Sequence, residues 1–108
     1  MRRAQAPVFA ALGDETRLML LGKLASGERF SISQLTEGTP LTRQAITKHL
    51  RVMERVRMVR CVRRGRESLF EFQPQPVVEM RELLERVSTE WESALLRLKA
   101  FVESDELK

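Results

Sequence analysis

The chain has 108 residues, 43% hydrophobic and 31% charged, with a formal net charge of +4. That length suits one domain with a modest core and room for a partner, and the balance of apolar and charged residues excludes a disordered chain. No run of about eighteen apolar residues is present to form a transmembrane helix. The acids Asp14 and Glu15 follow the basic start too closely for a secretory leader, so the cytoplasm is the expected location and no membrane partner is expected. Cys61 is the single cysteine and cannot close a disulfide within the chain, which fits a reducing compartment.

The charge is segregated. Between Leu41 and Arg66 there are nine bases and one acid, whereas from Glu67 onward there are five bases and ten acids. A basic middle between a near-neutral start and an acidic end is the footprint of a localised surface for a polyanion.

In chain order, Pro7–Leu12 reads as a short helix with Val8, Phe9 and Leu12, broken by Gly13. Asp14 can cap a second helix from Glu15 to about Ala25, in which Leu18, Leu21 and Leu24 recur at helical spacing with Met19 and Leu20 as a second apolar edge. Phe30 and Ile32 lead into a short third helix, where Ser31 and Gln34 have the spacing of a capping box and Gly38 marks the end. The stretch Thr39–Val56 organises the rest. Thr42 is a candidate N-cap, and Leu41 and Ile46 have the spacing of a hydrophobic staple. Ile46, Leu50 and Met53 recur at steps of four and three on one face, and the other face carries Arg43, Gln44, Thr47, Lys48 and Arg51. A front of Arg, Gln, Thr and Lys suits the edges and phosphates of a DNA groove, although an amphipathic surface helix can carry a similar front. Two short helices joined by a tight turn make a helix-turn-helix.

After Met53 the period changes to that of strands. Met58–Arg63 and Ser68–Phe72 predict a hairpin, turning through Arg63-Arg64-Gly65-Arg66-Glu67 with Gly65 at the position needing positive φ. Arginines at the tip make it a wing; the competing reading is a sheet edge blunted by charge. Pro74 and Pro76 precede a last helix over about 77–102. Its apolar residues Val77, Met80, Leu84, Val87, Trp91, Leu95, Leu98 and Val102 form a near-heptad seam. Such a helix is roughly 40 Å long, more than the domain can cover alone, so part of the seam is expected to pack on the domain's own first helices and part on a second copy; the alternative is a wholly intramolecular helix. The expected fold is therefore mainly α with a small β-hairpin wing, in the order α-α-α-α-β-β-α, as one winged helix-turn-helix domain over 1–108.

The series Ala11-Leu12-Gly13-Asp14-Glu15-Thr16-Arg17, Ser33-Gln34-Leu35, Leu41-Thr42-Arg43-Gln44-Ala45-Ile46-Thr47-Lys48-His49-Leu50-Arg51-Val52-Met53 and the wing Arg63-Arg64-Gly65-Arg66 resembles the ArsR/SmtB family of bacterial winged-helix transcription regulators. The resemblance covers nearly the full length. It implies a homodimer built from the first and last helices (about 7–25 and 77–102), with both recognition helices offered to a pseudo-palindromic operator in double-stranded DNA. It also implies repression by occupying promoter DNA.

Two departures stand out. Metal-sensing members use cysteines in the third helix or His and carboxylate pairs on the last; here the third helix has no thiol and the last no histidine, so no metal or other cofactor is expected. Secondly, Val56-Arg57-Met58 replaces an Ala-Gly-Leu-like turn, which removes a glycine and adds a candidate phosphate contact.

The expected DNA-contacting set is Thr42, Arg43, Gln44, Thr47, Lys48, His49 and Arg51 of the helix over 43–54, with Arg63, Arg64 and Arg66 of the wing over 63–67. Gln can pair with adenine, Arg or Lys with guanine, and a Thr methyl can touch thymine. His49 has an alternative role in packing against the wing. The expected dimer contacts are Val8, Leu84, Val87, Trp91, Leu95 and Leu98. No nucleophile context, phosphate loop or paired carboxylates point to an enzyme. A protein–protein adaptor and an RNA-binding winged helix are the alternatives to operator binding. The apolar seam also leaves room for a small hydrophobic effector, which the sequence does not identify.

Overall fold

The computed structural model describes residues 5–106, with side chains described through Glu103 and Ser104. The elements are α1 (Gln5–Leu12), α2 (Glu15–Leu24), β1 (Phe30–Ser31), α3 (Ile32–Thr36), α4 (Arg43–Arg55), β2 (Val59–Arg64), β3 (Glu67–Phe72) and α5 (Gln75–Glu106). The expected order holds, with one addition. Phe30–Ser31, read from sequence as a lead-in to the third helix, is a strand that pairs antiparallel with β3 at Phe30↔Phe70 and Ser31↔Leu69, giving a sheet ordered β1-β3-β2.

Local chemistry explains most boundaries. Asp14 accepts the Arg17 backbone N–H at 3.1 Å and so caps α2. Ser31 and Gln34 complete the capping box: the Gln34 N–H donates to Ser31 Oγ at 3.1 Å, and the Ser31 N–H donates to Gln34 Oε1 at 2.8 Å. Ser31 thus serves both the sheet and the start of α3. Beyond α3, Lys23 Nζ donates to the carbonyls of Leu35 and Glu37, satisfying groups that a five-residue helix leaves open. Gly38 follows with φ +75°.

The core of the first compact unit, which runs through Val77, centres on Leu20, Leu24, Leu35, Ile46, Leu50, Met53, Met58, Val59 and Phe70, none more than 1% exposed. On α2 the buried edge is Leu20 and Leu24, while Leu18, expected on the main apolar face, is 52% exposed. Val8, expected at a dimer surface, is buried within its own chain at 6% exposure.

The exit from α4 is a Schellman motif built without glycine. The Met58 N–H donates to the Met53 carbonyl at 2.9 Å and the Arg57 N–H to that of Glu54 at 3.0 Å. Arg57 sits between them at φ 63°, alone in the left-handed region among the described non-glycine residues. Burial of both Met53 and Met58 holds the turn closed. At the wing, Arg64 pairs with Glu67, so the turn is only Gly65-Arg66 rather than five residues. Gly65 has φ +60° and Arg66 does not share it, the pattern of a type II′ hairpin. Phe70 on β3 is fully buried, and the Gln73 N–H donates to the Met58 carbonyl at 2.8 Å to close the hairpin base.

Glu71 of β3 ties the sheet to its surroundings. It accepts from Arg29 Nε at 2.8 Å, just ahead of β1, and from Arg60 on β2. These guanidiniums, Arg29 first and Arg60 second, hold the Glu71 carboxyl below the usual carboxylate range.

The second compact unit begins at Val78 and is the body of α5, a helix of 32 residues that spans about 48 Å. It starts two residues earlier than the sequence suggests, with Pro76 tolerated in its first turn. Along it Leu84, Val87, Trp91, Leu95, Leu98 and Val102 are exposed, as are Leu96 and Phe101. No described helix is long and apolar enough to cross a membrane.

Two outcomes are expected. Arg57→Gly should stabilise the protein by about 0.5–1 kcal/mol, because glycine relieves a left-handed strain of roughly 1–2 kcal/mol at some entropic cost; a thermal melt checks it. A group whose pKa is depressed by folding contributes stability above its unfolded value and loses it as pH falls through the folded one. Glu71→Gln should therefore melt lower than wild type at neutral pH, with the gap narrowing as pH drops below roughly 4.

Candidate nucleic-acid interface

The geometry of α4 follows from its back and its cap. Ile46, Leu50 and Met53 have no exposed surface, which decides which face of the helix turns outward. Thr42 Oγ1 accepts the Ala45 N–H at 3.1 Å, and Leu41 and Ile46 hold the two staple positions. What remains outside is a line of side chains. Arg43, Gln44 and Lys48 are exposed near the N-terminus, and Arg51 and Arg55 continue the line at steps of three and four. Thr42, Arg43, Gln44, Thr47 and Lys48 line an open groove of about 550 Å³ together with Ile32 and Ala45. Five of the expected residues are therefore together. Ile32 and Ala45 were absent from the expectation, since one lies on another helix and the other is small and half-buried.

The Thr47 hydroxyl donates to the Arg43 carbonyl at 2.7 Å, so its proton is spent on the helix, leaving the methyl and the acceptor capacity of the oxygen.

The cations divide into two sets. Arg51 donates to Glu54 Oε1 at 2.7 Å, and Arg60 is held by Glu71. The bond to Glu54 raises the Arg51 pKa further. Among the described residues, no ion pair engages Arg43, Lys48, Arg55, Arg57, Arg63, Arg64 or Arg66. Arg63 and Arg64 end β2 and Arg66 stands in the turn, all three exposed. Arg51 is thus the member of the expected contact set whose charge is already matched. Arg55 and Arg57 join the free set; helical spacing signals Arg55, while Arg57 is exposed by the turn it occupies.

His49 is placed differently from the rest. Its Nδ1 lies 3.3 Å from Arg17 Nη1 and 3.9 Å from Asp14 Oδ1, and only 24% of its side chain is exposed. Its polar partners are on the α2 side rather than in the wing. Arg17 also donates from Nε to the Ala11 carbonyl at 2.6 Å and from Nη2 to that of Ala10 at 3.4 Å. The Asp14 carboxyl is held below its ordinary pKa, chiefly by the Arg17 backbone N–H and further by the charge of Arg17. Nothing about the described His, Cys, Asp and Glu residues groups three of them as a metal site. Cys61 is half-buried in β2, opposite Phe70.

A helix-turn-helix followed by a basic hairpin, whose two strands form one sheet with β1, defines a winged helix-turn-helix protein. The comparisons with known proteins agree. A helix-turn-helix domain model matches residues 12–62. The uncharacterized HTH-type transcriptional regulator YuzN of Bacillus subtilis (strain 168) is 34% identical over 76 residues, covering 65% of this chain and 83% of that protein. The HTH-type transcriptional regulator Rv2034 of Mycobacterium tuberculosis is 26% identical over 103 residues, with 95% and 92% covered. Among solved structures, an ArsR-like transcriptional regulator from Rhodococcus sp. RHA1 superposes with a TM-score of 0.87 at 37% identity, covering 94% of this chain and 92% of that one. The chain belongs to the ArsR-like family of helix-turn-helix transcriptional regulators.

Proposed function

We propose that this regulator is a homodimer that binds a pseudo-palindromic operator in double-stranded DNA and represses transcription by occupying it. The observation carrying this reading is the sorting of cations: Arg43, Lys48 and Arg55 of α4 and Arg63, Arg64 and Arg66 of the wing stand in no ion pair, while Arg51 is matched by Glu54 and Arg60, with Arg29, by Glu71. Free cations meeting phosphates give salt-sensitive affinity, and the groove-lining residues would supply sequence readout. Gln44 suits adenine, Arg43 or Lys48 suits guanine, and the free Thr47 methyl suits thymine. Arg63, Arg64 and Arg66 would meet the backbone or the adjacent minor groove.

The dimer reading rests on α5. Trp91 is 64% exposed, Leu95 58% and Leu98 59%, in line with Leu84 and Val87 at heptad spacing. A stripe of that size left in water marks an interaction surface, and its repeat is that of a helix meeting its own copy. A two-fold dimer presents two α4 helices to successive turns of the groove, which a pseudo-palindrome matches. The single-domain reading of 1–108, with its dimerisation helices at both ends, belongs to the same proposal, with α1 contributing through residues other than the buried Val8.

Two expected outcomes follow from the division of labour. Gln44→Ala or Arg43→Ala should reduce operator binding relative to random duplex by roughly tenfold while leaving the dimer intact. Arg64→Ala should instead reduce the slope of log affinity against log salt by about one and leave sequence preference unchanged. Gel shifts across a salt series measure both, and equal binding to RNA duplex, or no salt dependence, would favour the RNA-binding or adaptor readings. Trp91→Glu should shift the protein from dimer to monomer in sedimentation; a variant that still sediments as a dimer removes the seam from the interface.

A further inference from the structure

Arg17 lies on α2, away from the wing and from the groove that α4 presents, yet it touches both neighbours of that helix. Its guanidinium is fixed on one side by the terminal carbonyls of α1, at 2.6 Å to Ala11 and 3.4 Å to Ala10. On the other side its Nη1 meets His49 Nδ1 at 3.3 Å. Arginine is always protonated and can only donate, so the ring nitrogen facing it is the acceptor. Asp14, which caps α2, stands within 3.9 Å of both partners and completes the cluster. The side chains are largely enclosed, Arg17 at 16% exposure and His49 at 24%.

His49 follows Thr47 and Lys48 directly on α4. The apolar back of α4 locates the helix, but apolar contact is non-directional and tolerates small rotations. Other polar side chains of α4 bond within the helix, Thr47 to the Arg43 carbonyl and Arg51 to Glu54. The bond from Arg17 to His49 is directional and reaches a different element. A side chain about 5–6 Å from a helix axis moves roughly 1 Å for each 10° of rotation, which is enough to spoil a two-point hydrogen bond to a base. Phosphate contacts by flexible arginines absorb such a shift.

We propose that Arg17 is a positioning residue for operator discrimination: through His49 it fixes the rotation of α4, and with it the aim of Arg43, Gln44 and Lys48, without touching DNA. This rests on the proposal that α4 reads duplex DNA. It also assigns His49 an inward task in place of a base contact.

The test uses the full chain and two probes, duplexes enriched by the wild type from a randomised pool and the unselected pool itself. Arg17→Gln and His49→Leu should each lower the ratio of selected to unselected affinity by roughly tenfold, the size of one base contact, while affinity for the unselected pool changes less than twofold. His49→Leu leaves the α1 carbonyl bonds in place, so it separates aim from folding if Arg17→Gln melts early. His49→Gln, which restores an acceptor, should recover most of the ratio. The double variant should lose no more than the worse single one. An undiminished ratio in folded Arg17→Gln, or losses that add in the double variant, would overturn the inference. A wild type that enriches no duplex would instead overturn the DNA-reading proposal beneath it.

Discussion

The complete burial of Ile46, Leu50 and Met53 along one side of α4 is the constraint on which the rest of the molecule depends. A thirteen-residue helix has little intrinsic stability in water, so its existence and the choice of the face it turns outward both come from that apolar back. Thr42 fixes where the helix begins, and the Met58 to Met53 bond fixes where it ends. Once the back is committed, the identity of the outward line is no longer free. Arg43, Gln44 and Lys48 must face solvent, and the hairpin that leaves through Arg57 must start at the helix's far end.

Charge is organised at two levels. The sequence segregates bases into the middle of the chain, a one-dimensional statement about nine residues between Leu41 and Arg66. Folding then edits that list. Glu54 takes Arg51 and Glu71 takes Arg60, with Arg29 drawn in from outside the basic stretch. The unmatched remainder lies on the N-terminal part of α4, at its exit and at the wing tip. Exposed pairs such as Arg51 with Glu54 contribute little to stability, so their main consequence is to remove a charge from the set proposed to meet DNA.

Legibility in the sequence follows the range of the interaction. The capping box of Ser31 and Gln34, the Thr42 cap and the Gly65 turn are set within a few residues, and each could be read from spacing alone. The wing was readable as a hairpin, although its turn is tighter than the arginine cluster suggested. Strand β1 was hidden because two residues show no period and their partner Phe70 is forty positions away. The links of Arg17 to His49 and of Arg29 to Glu71 span 32 and 42 residues, which no local pattern encodes. Leu18 and Leu20 exchanged roles because α2 is apolar on more than one side, and periodicity cannot say which side meets the core. The open groove was legible in its residues and not in its membership of Ile32, which another helix brings.

The central claim is that the line of side chains outside α4, with the wing tip, is the surface that meets duplex DNA. Titrating isotope-labelled protein with a duplex from its own promoter region, and following backbone amide resonances, tests it most directly. The largest shifts should fall on 42–48 and 63–66, while the polar face of α5 stays still. Shifts confined to α5, or none across α4 and the wing at saturating duplex, would contradict it.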